Sequence, residues 1–232
     1  MNRYFGIDLA KNFVKDIVKI RFLSNSNLEP LILAYFITFR CNLNCSYCNY
    51  IQQRFELKYR EVNTQQAKLI LHQCRKKVPS VAFTGGEPLI RDDIVEIIQF
   101  AKELRFKPIS LFTNGLLLQQ KEAVLENIDF IQISLDSVIE QKNHGNRDRE
   151  KLIEIIQKYS KLQYKKNFKI NINCVINSEN IEEIPELLNF AKQLNVKLTV
   201  CPELNEMAEP VDELKNGESG KKYRQMIDYL LE

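Results

Sequence analysis

The chain has 232 residues, of which 44% are hydrophobic, enough for the core of one large domain or two small ones. Its net charge of +3, from 33 basic and 30 acidic side chains without a long basic run, gives no footprint for nucleic acid. The longest apolar run, Leu31 to Phe39, falls far short of the roughly 20 residues a membrane helix needs, and six cysteines without an apolar leader predict a cytoplasmic protein that uses thiols for metal binding rather than for disulfides.

At the start, Ala10, Phe13, Val14, Ile17 and Val18 recur at helical spacing opposite Lys11, Lys15 and Lys19, which predicts an amphipathic helix. Such a helix caps the open end of a core; contact with a membrane surface is its lesser alternative. Pro30 ends this lead-in, and residues 31–39 are apolar nearly throughout, as in a parallel strand covered on both faces. From Arg40 to about Glu61 no period is visible, and loops of that length in compact domains are usually functional.

Asn63 and Gln66 form a capping-box pattern ahead of an apolar stripe of Ala67, Ile70, Leu71 and Cys74. A short strand, Val81–Phe83, leads into Thr84-Gly85-Gly86-Glu87-Pro88. A helix follows from about Asp92, with Ile94, Ile97, Ile98 and Ala101 inward and two aspartates at its positive end. Residues 110–112 predict a third strand, 119–126 a weaker helix, and 130–133 a fourth strand ending in Ser134-Leu135-Asp136. Leu152, Ile155, Ile156 and Tyr159 mark the next helix, and residues 168–176 alternate as a fifth strand. Ile184, Leu187, Leu188 and Ala191 stripe a further helix, residues 196–200 make a sixth strand, and Tyr223, Met226, Ile227 and Leu230 mark a closing helix. Six strand-helix units predict an α/β protein with a parallel sheet, right-handed crossovers and a partial TIM-type (β/α)6 barrel, the full form needing about 250 residues. The competing doubly wound sheet carries a glycine-rich phosphate turn after its first strand, where this chain carries cysteines. The expected divisions are a lead-in over 1–30, the barrel over 31–200, and an acidic loop with the closing helix over 201–232.

Cys41, Cys45 and Cys48 sit at the start of the long loop, three thiols within eight residues. Iron-sulfur clusters and structural zinc sites normally take four protein ligands, so three leave a coordination position open, as catalytic metal sites do. A zinc knuckle completed from a distance and three unrelated buried thiols are the alternatives. In parallel strand-helix folds, ligands bind at the carboxyl ends of the strands. The cysteines, Gly85 and Gly86, Gly115, and Ser134 with Asp136 all fall there, as does Gly145 in the loop after the fourth strand. The Gly85-Gly86 pair lets backbone approach a ligand closely, and Glu87 is suited to an ammonium group.

Taken together these motifs resemble the radical S-adenosylmethionine enzymes, in the core shared by peptide-modifying and molybdenum-cofactor-type members. The resemblance rests on the spacing of Cys41, Cys45 and Cys48 with Tyr47 before the last thiol, and on Thr84-Gly85-Gly86-Glu87-Pro88, Thr113-Asn114-Gly115 and Ser134-Leu135-Asp136 in that order. It covers about residues 31–200. It implies a 4Fe-4S cluster on the three cysteines, with the amino and carboxylate groups of S-adenosylmethionine on the fourth iron, and reductive cleavage to methionine and a 5'-deoxyadenosyl radical. It also implies that Gly85, Gly86 and Glu87 meet the methionine amino group, that Ser134 and Asp136 meet its carboxylate or the ribose, and that Tyr47 lies near the adenine. The implied partners are a low-potential flavodoxin- or ferredoxin-like electron donor and a peptide or small-metabolite substrate. The rival reading is a non-catalytic iron-sulfur or zinc protein of electron transfer or regulation.

Other positions stay open. His144 is read as a solvated loop residue, Asn177 as a nucleoside contact or helix cap, and Asn180 as a cap. Cys74 and Cys174 are expected in the core, and Cys201 at the rim, facing the site. No cysteines follow Cys201 to hold a second cluster; either one cluster serves, or an extension lies beyond this chain.

Overall fold

The computed structural model describes residues 30–48, 61–139, 148–205 and 209–231. The N-terminal helix, His144 and Gly145 lie outside them. The strands are β1 (Ile32–Thr38), β2 (Ser80–Gly85), β3 (Ile109–Thr113), β4 (Phe130–Ser134), β5 (Lys169–Ile176) and β6 (Lys197–Pro202), and the helices α1 (Thr64–Arg75), α2 (Ile94–Glu103), α3 (Arg149–Lys166), α4 (Ile184–Gln193), α5 (Asp212–Lys215) and α6 (Gly217–Leu231). All strands pair in parallel, in the order β1-β2-β3-β4-β5-β6. A doubly wound sheet reverses its strand order at a switch point. This one never reverses, so it is the open partial barrel. No helix among the described residues is long and apolar enough to cross a membrane.

Local chemistry explains the element boundaries. The Asn63 side chain accepts from the Gln66 N–H and the Gln66 side chain accepts from the Asn63 N–H, so α1 opens on a complete capping box. Asp148 accepts from the Lys151 N–H at the start of α3, and Asn167 ends that helix in the left-handed conformation with φ 61°. Ile94, Ile97, Ile98 and Ala101 of α2 pack with Val81, Phe83, Ile109 and Leu111 into the layer between sheet and helices. Between β3 and β4 the expected weak helix is a 3-10 segment, Glu122–Glu126, because the short crossover needs only to bury Val124 and Leu125.

Two expectations change. β1 is not covered on both faces: Tyr35 and Ile37 pack toward the helices, while Ile32 is 52% and Phe36 37% exposed on the inner face. A closed barrel fills its interior with side chains; in this open one the inner face of β1 stays partly exposed. Cys74 is half-buried beside the core, whereas Cys174 is buried as expected.

The long loop after β1 is anchored at both ends. Arg91, 4% exposed, donates to the carbonyls of Ile37 and Val62 and pairs with Glu61 and Asp93. Glu61 also takes the Arg40 guanidinium, at 2.8 and 3.1 Å. The two ends of segment 40–61 therefore meet at one carboxylate, and the charge of Arg91 is compensated where it is buried.

Candidate active site

A cavity of about 370 Å³ opens at the carboxyl ends of the strands, within the range of small-molecule sites. Cys41, Cys45, Cys48 and Tyr47 line it together with Gly85, Gly86 and Ser134. Sequence positions up to 93 apart in the chain are thus brought to one wall by the parallel topology.

The root of the cysteine loop lies on the glycine turn. The Gly86 N–H donates to Thr38 O and the Glu87 N–H to Arg40 O, both at 2.8 Å. A Cβ on Gly85 would stand 2.1 Å from Thr38 O, and one on Gly86 would stand 2.2 Å from Arg40 O. The glycines are required because backbone meets backbone there; both also reach the cavity wall. Further along, Asn114 Nδ2 donates to Asn42 Oδ1 at 2.8 Å, and the Tyr47 hydroxyl donates to Asp136 Oδ2 at 2.6 Å. The loop is fastened in turn to the ends of β2, β3 and β4. Asn42 and Asn114 carry one of these fastenings, a role that sequence reasoning did not assign.

Two residues expected to touch the cofactor have their carboxylates engaged by groups of the protein itself. Glu87 is 0% exposed, and its carboxylate accepts from the Leu89 N–H, the Thr113 hydroxyl and the Asn114 N–H at 2.9, 2.7 and 2.7 Å. It braces the β2 and β3 turns from inside and is not among the residues that line the cavity. Asp136 is 1% exposed and accepts from the Val175 N–H at 2.9 Å as well as from Tyr47. Its link to the cavity lining is the Tyr47 hydroxyl. Asn180 does not cap the following helix through its side chain; it is buried and donates to the carbonyls of Asp136 and Val175. Asn177 instead accepts from the N–H groups of Glu179 and Asn180, closing the turn after β5. Cys201 does face the cavity, and burial pushes its thiol up, against a lowering contact from Asn173.

Tyr47→Phe removes one hydrogen bond and leaves Asp136 short of a donor where it is buried, an expected loss of about 1–3 kcal/mol. Asp136→Asn should cost a similar amount, and the double variant less than the sum. Urea unfolding midpoints read both; strict additivity of the two losses would show that the pair is not coupled.

Cys41, Cys45 and Cys48 fit an iron-sulfur cluster in donor type and in place. Three soft thiol donors share one wall, and the Leu43 N–H points to Cys41 Sγ at 3.4 Å, the kind of N–H to sulfur bond that tunes cluster thiolates. Among the described residues no three Cys, His, Asp or Glu side chains converge closely enough to hold a metal as they stand, so cluster binding requires the thiols to rotate toward a common point.

Residues 35–191 match the family model described as the Radical SAM superfamily. The chain is 28% identical over 196 residues to a probable GTP 3',8-cyclase of Methanococcus aeolicus, covering 81% of this chain and 62% of that protein. It is 33% identical over 186 residues to the GTP 3',8-cyclase of Aquifex aeolicus, covering 73% and 56%. This chain thus spans less than two thirds of those relatives. Among solved structures, Streptococcus suis SuiB bound to S-adenosylmethionine superposes with a TM-score of 0.68 at 20% identity, over 100% of this chain and 51% of that one. anSMEcpe with bound AdoMet gives 0.63 at 21% identity, over 86% and 60%. These two likenesses are of fold. The family match runs from β1 into α4 and takes in the three cysteines, the glycine turn and Ser134, with the cavity residues of β6 lying beyond it, and this protein belongs to the radical SAM superfamily.

Proposed function

We propose that the chain is the catalytic core of an enzyme that cleaves S-adenosylmethionine reductively and turns the product on a separate substrate. The observation that carries this is the gathering of Cys41, Cys45 and Cys48 on the same wall as Gly85, Gly86 and Ser134. When bound, a 4Fe-4S cluster on the three cysteines supplies the electron that opens the sulfonium, yielding methionine and a 5'-deoxyadenosyl radical. The remaining work belongs to the protein. Gly85 and Gly86 present backbone to the methionine end, Ser134 offers a hydroxyl to its carboxylate or to the ribose, and Tyr47, held by Asp136, bounds the adenine side. A low-potential donor of flavodoxin or ferredoxin type delivers the electron. The substrate is a small metabolite, as in the GTP 3',8-cyclase relatives, or a peptide, as in SuiB bound to precursor peptide SuiA. The clustering of three of the six cysteines in a metal-binding pattern suits a reducing cytoplasmic setting.

Anaerobic reconstitution tests the reading. About four iron per chain and release of 5'-deoxyadenosine on adding S-adenosylmethionine and dithionite are expected. Changing Cys41, Cys45 or Cys48 singly to Ala should reduce both to background, and Cys74→Ala should spare both. A stable cluster that never cleaves S-adenosylmethionine would favour electron transfer instead. Loss of iron in Cys74→Ala, with the fold intact, would overturn the ligand assignment.

A further inference from the structure

The inner face of the sheet changes character below the rim. On β3 it presents Phe112, 37% exposed, and directly across in register lies Gln132 of β4. On β5 it presents Asn171 and Asn173, opposite Gln132 and Ser134. Asn171 Nδ2 donates to Gln132 Oε1 and to Thr199 Oγ1, both at 2.9 Å, and Asn171 Oδ1 accepts from the Thr199 hydroxyl at 3.2 Å. These bonds fix the Gln132 amide with its oxygen engaged. Its Nε2 donor has no protein partner among the described residues. One pleat nearer the rim, Asn173 places Nδ2 4.0 Å from Cys201 Sγ, and its Oδ1 acceptor likewise has no protein partner among the described residues. Phe112, Gln132 and Asn173 all line the cavity, whose described wall carries one carboxylate, Glu203, and no Lys or Arg.

A held donor, a neighbouring acceptor and an exposed ring face on an uncharged stretch of wall match one kind of group. We propose that Gln132, Asn173 and Phe112 are specificity residues that recognise a planar amide of the substrate. Its carbonyl accepts from Gln132 Nε2, its N–H donates to Asn173 Oδ1, and its plane lies against the Phe112 ring. Both a peptide amide and the lactam edge of a nucleobase carry this chemistry. Sites built to hydrogen-bond a substrate discriminate strongly, because a wrong ligand leaves their polar groups unpaired. The inference rests on the proposed reading of this cavity as the reaction site.

Binding of two probes to the reconstituted protein tests it, by saturation-transfer NMR titration: guanosine for the lactam, and N-acetylalanine methylamide for the peptide amide. At least one should bind, and the tighter one identifies the source of the amide. Gln132→Glu keeps the oxygen that Asn171 holds but removes the donor, and should weaken that probe at least tenfold. Asn173→Leu should do the same, whereas Asn173→Asp, which keeps the acceptor, should stay within threefold of wild type. S-adenosylmethionine binding, read by equilibrium dialysis, should stay within twofold in all three. The proposal fails if neither probe binds, if Gln132→Glu binds as wild type does, or if probe and S-adenosylmethionine affinities fall together, which would assign the pair to the cofactor. Probe binding needs no S-adenosylmethionine cleavage. A protein that binds the amide but forms no 5'-deoxyadenosine would refute the proposed function and leave the recognition site standing.

Discussion

Gly86→Ala is expected to yield a folded sheet that no longer holds its cysteine loop. The new Cβ would lie 2.2 Å from Arg40 O, 2.7 Å from Arg40 C and 2.8 Å from Phe39 O, all inside contact distance and all on backbone. A flexible side chain could swing away from such a clash, but here the loop root must move bodily. That movement breaks the Gly86 N–H to Thr38 O and Glu87 N–H to Arg40 O bonds. Losing two backbone hydrogen bonds and straining the turn should together cost about 3 kcal/mol or more. Gly85→Ala adds a conformational penalty, since φ is 132° there and a Cβ would stand 2.1 Å from Thr38 O. Gly217→Ala is the control. Its φ of 65° is also left-handed, yet nothing lies within 4 Å of the added Cβ, so only about 1 kcal/mol of backbone strain is expected. Iron per chain after reconstitution, measured beside the unfolding midpoint, should fall below about a tenth of wild type in the two turn variants, the loop being the cluster's seat, and stay unchanged in Gly217→Ala. Normal iron in Gly86→Ala would mean that the loop does not depend on this contact.

The architecture was legible because its cause is local. Apolar residues two apart in strands and three or four apart in helices decide which faces are buried, and the order of units decides the sheet once crossovers are right-handed. Ile94, Ile97, Ile98 and Ala101 are buried on α2 as their spacing requires. The rim was legible for the same reason, since strand ends can be counted. What each rim residue touches was not, because it depends on atoms meeting across long stretches of chain: Tyr47 and Asp136 are 89 positions apart, Asn42 and Asn114 72. Asp136 in particular follows a strand end, where a carboxylate is naturally assigned to the ligand; only its bonds to the Val175 N–H and the Tyr47 hydroxyl reveal that both oxygens are taken up inside the protein. The partly exposed inner face of β1 was missed because an apolar run is the same whether or not its second face is covered.

Glu87 offers the sharpest test of these reassignments. A carboxylate that binds the amino group of S-adenosylmethionine and one that braces two turns respond oppositely to Glu87→Gln. As a ligand it would lose affinity for S-adenosylmethionine while leaving stability alone. As a brace it fails from within: Oε1 accepts from the Leu89 N–H and the Thr113 hydroxyl, and Oε2 accepts from the Asn114 N–H. Glutamine turns one of these acceptors into a donor, so at least one backbone N–H faces another N–H in a site with 0% exposure. The expected cost is about 2–4 kcal/mol, or roughly 5–15 °C in the unfolding midpoint for a chain of this size. Glu87→Ala leaves all three donors without that partner and should cost about 4 kcal/mol or more. The effect should travel one step further, because the Asn114 backbone that Glu87 holds also aims Asn114 Nδ2 at Asn42 in the cysteine loop. Iron content should therefore fall with stability, and the S-adenosylmethionine affinity of the fraction that retains iron should match wild type. An unchanged midpoint with weakened S-adenosylmethionine binding would return Glu87 to the cofactor.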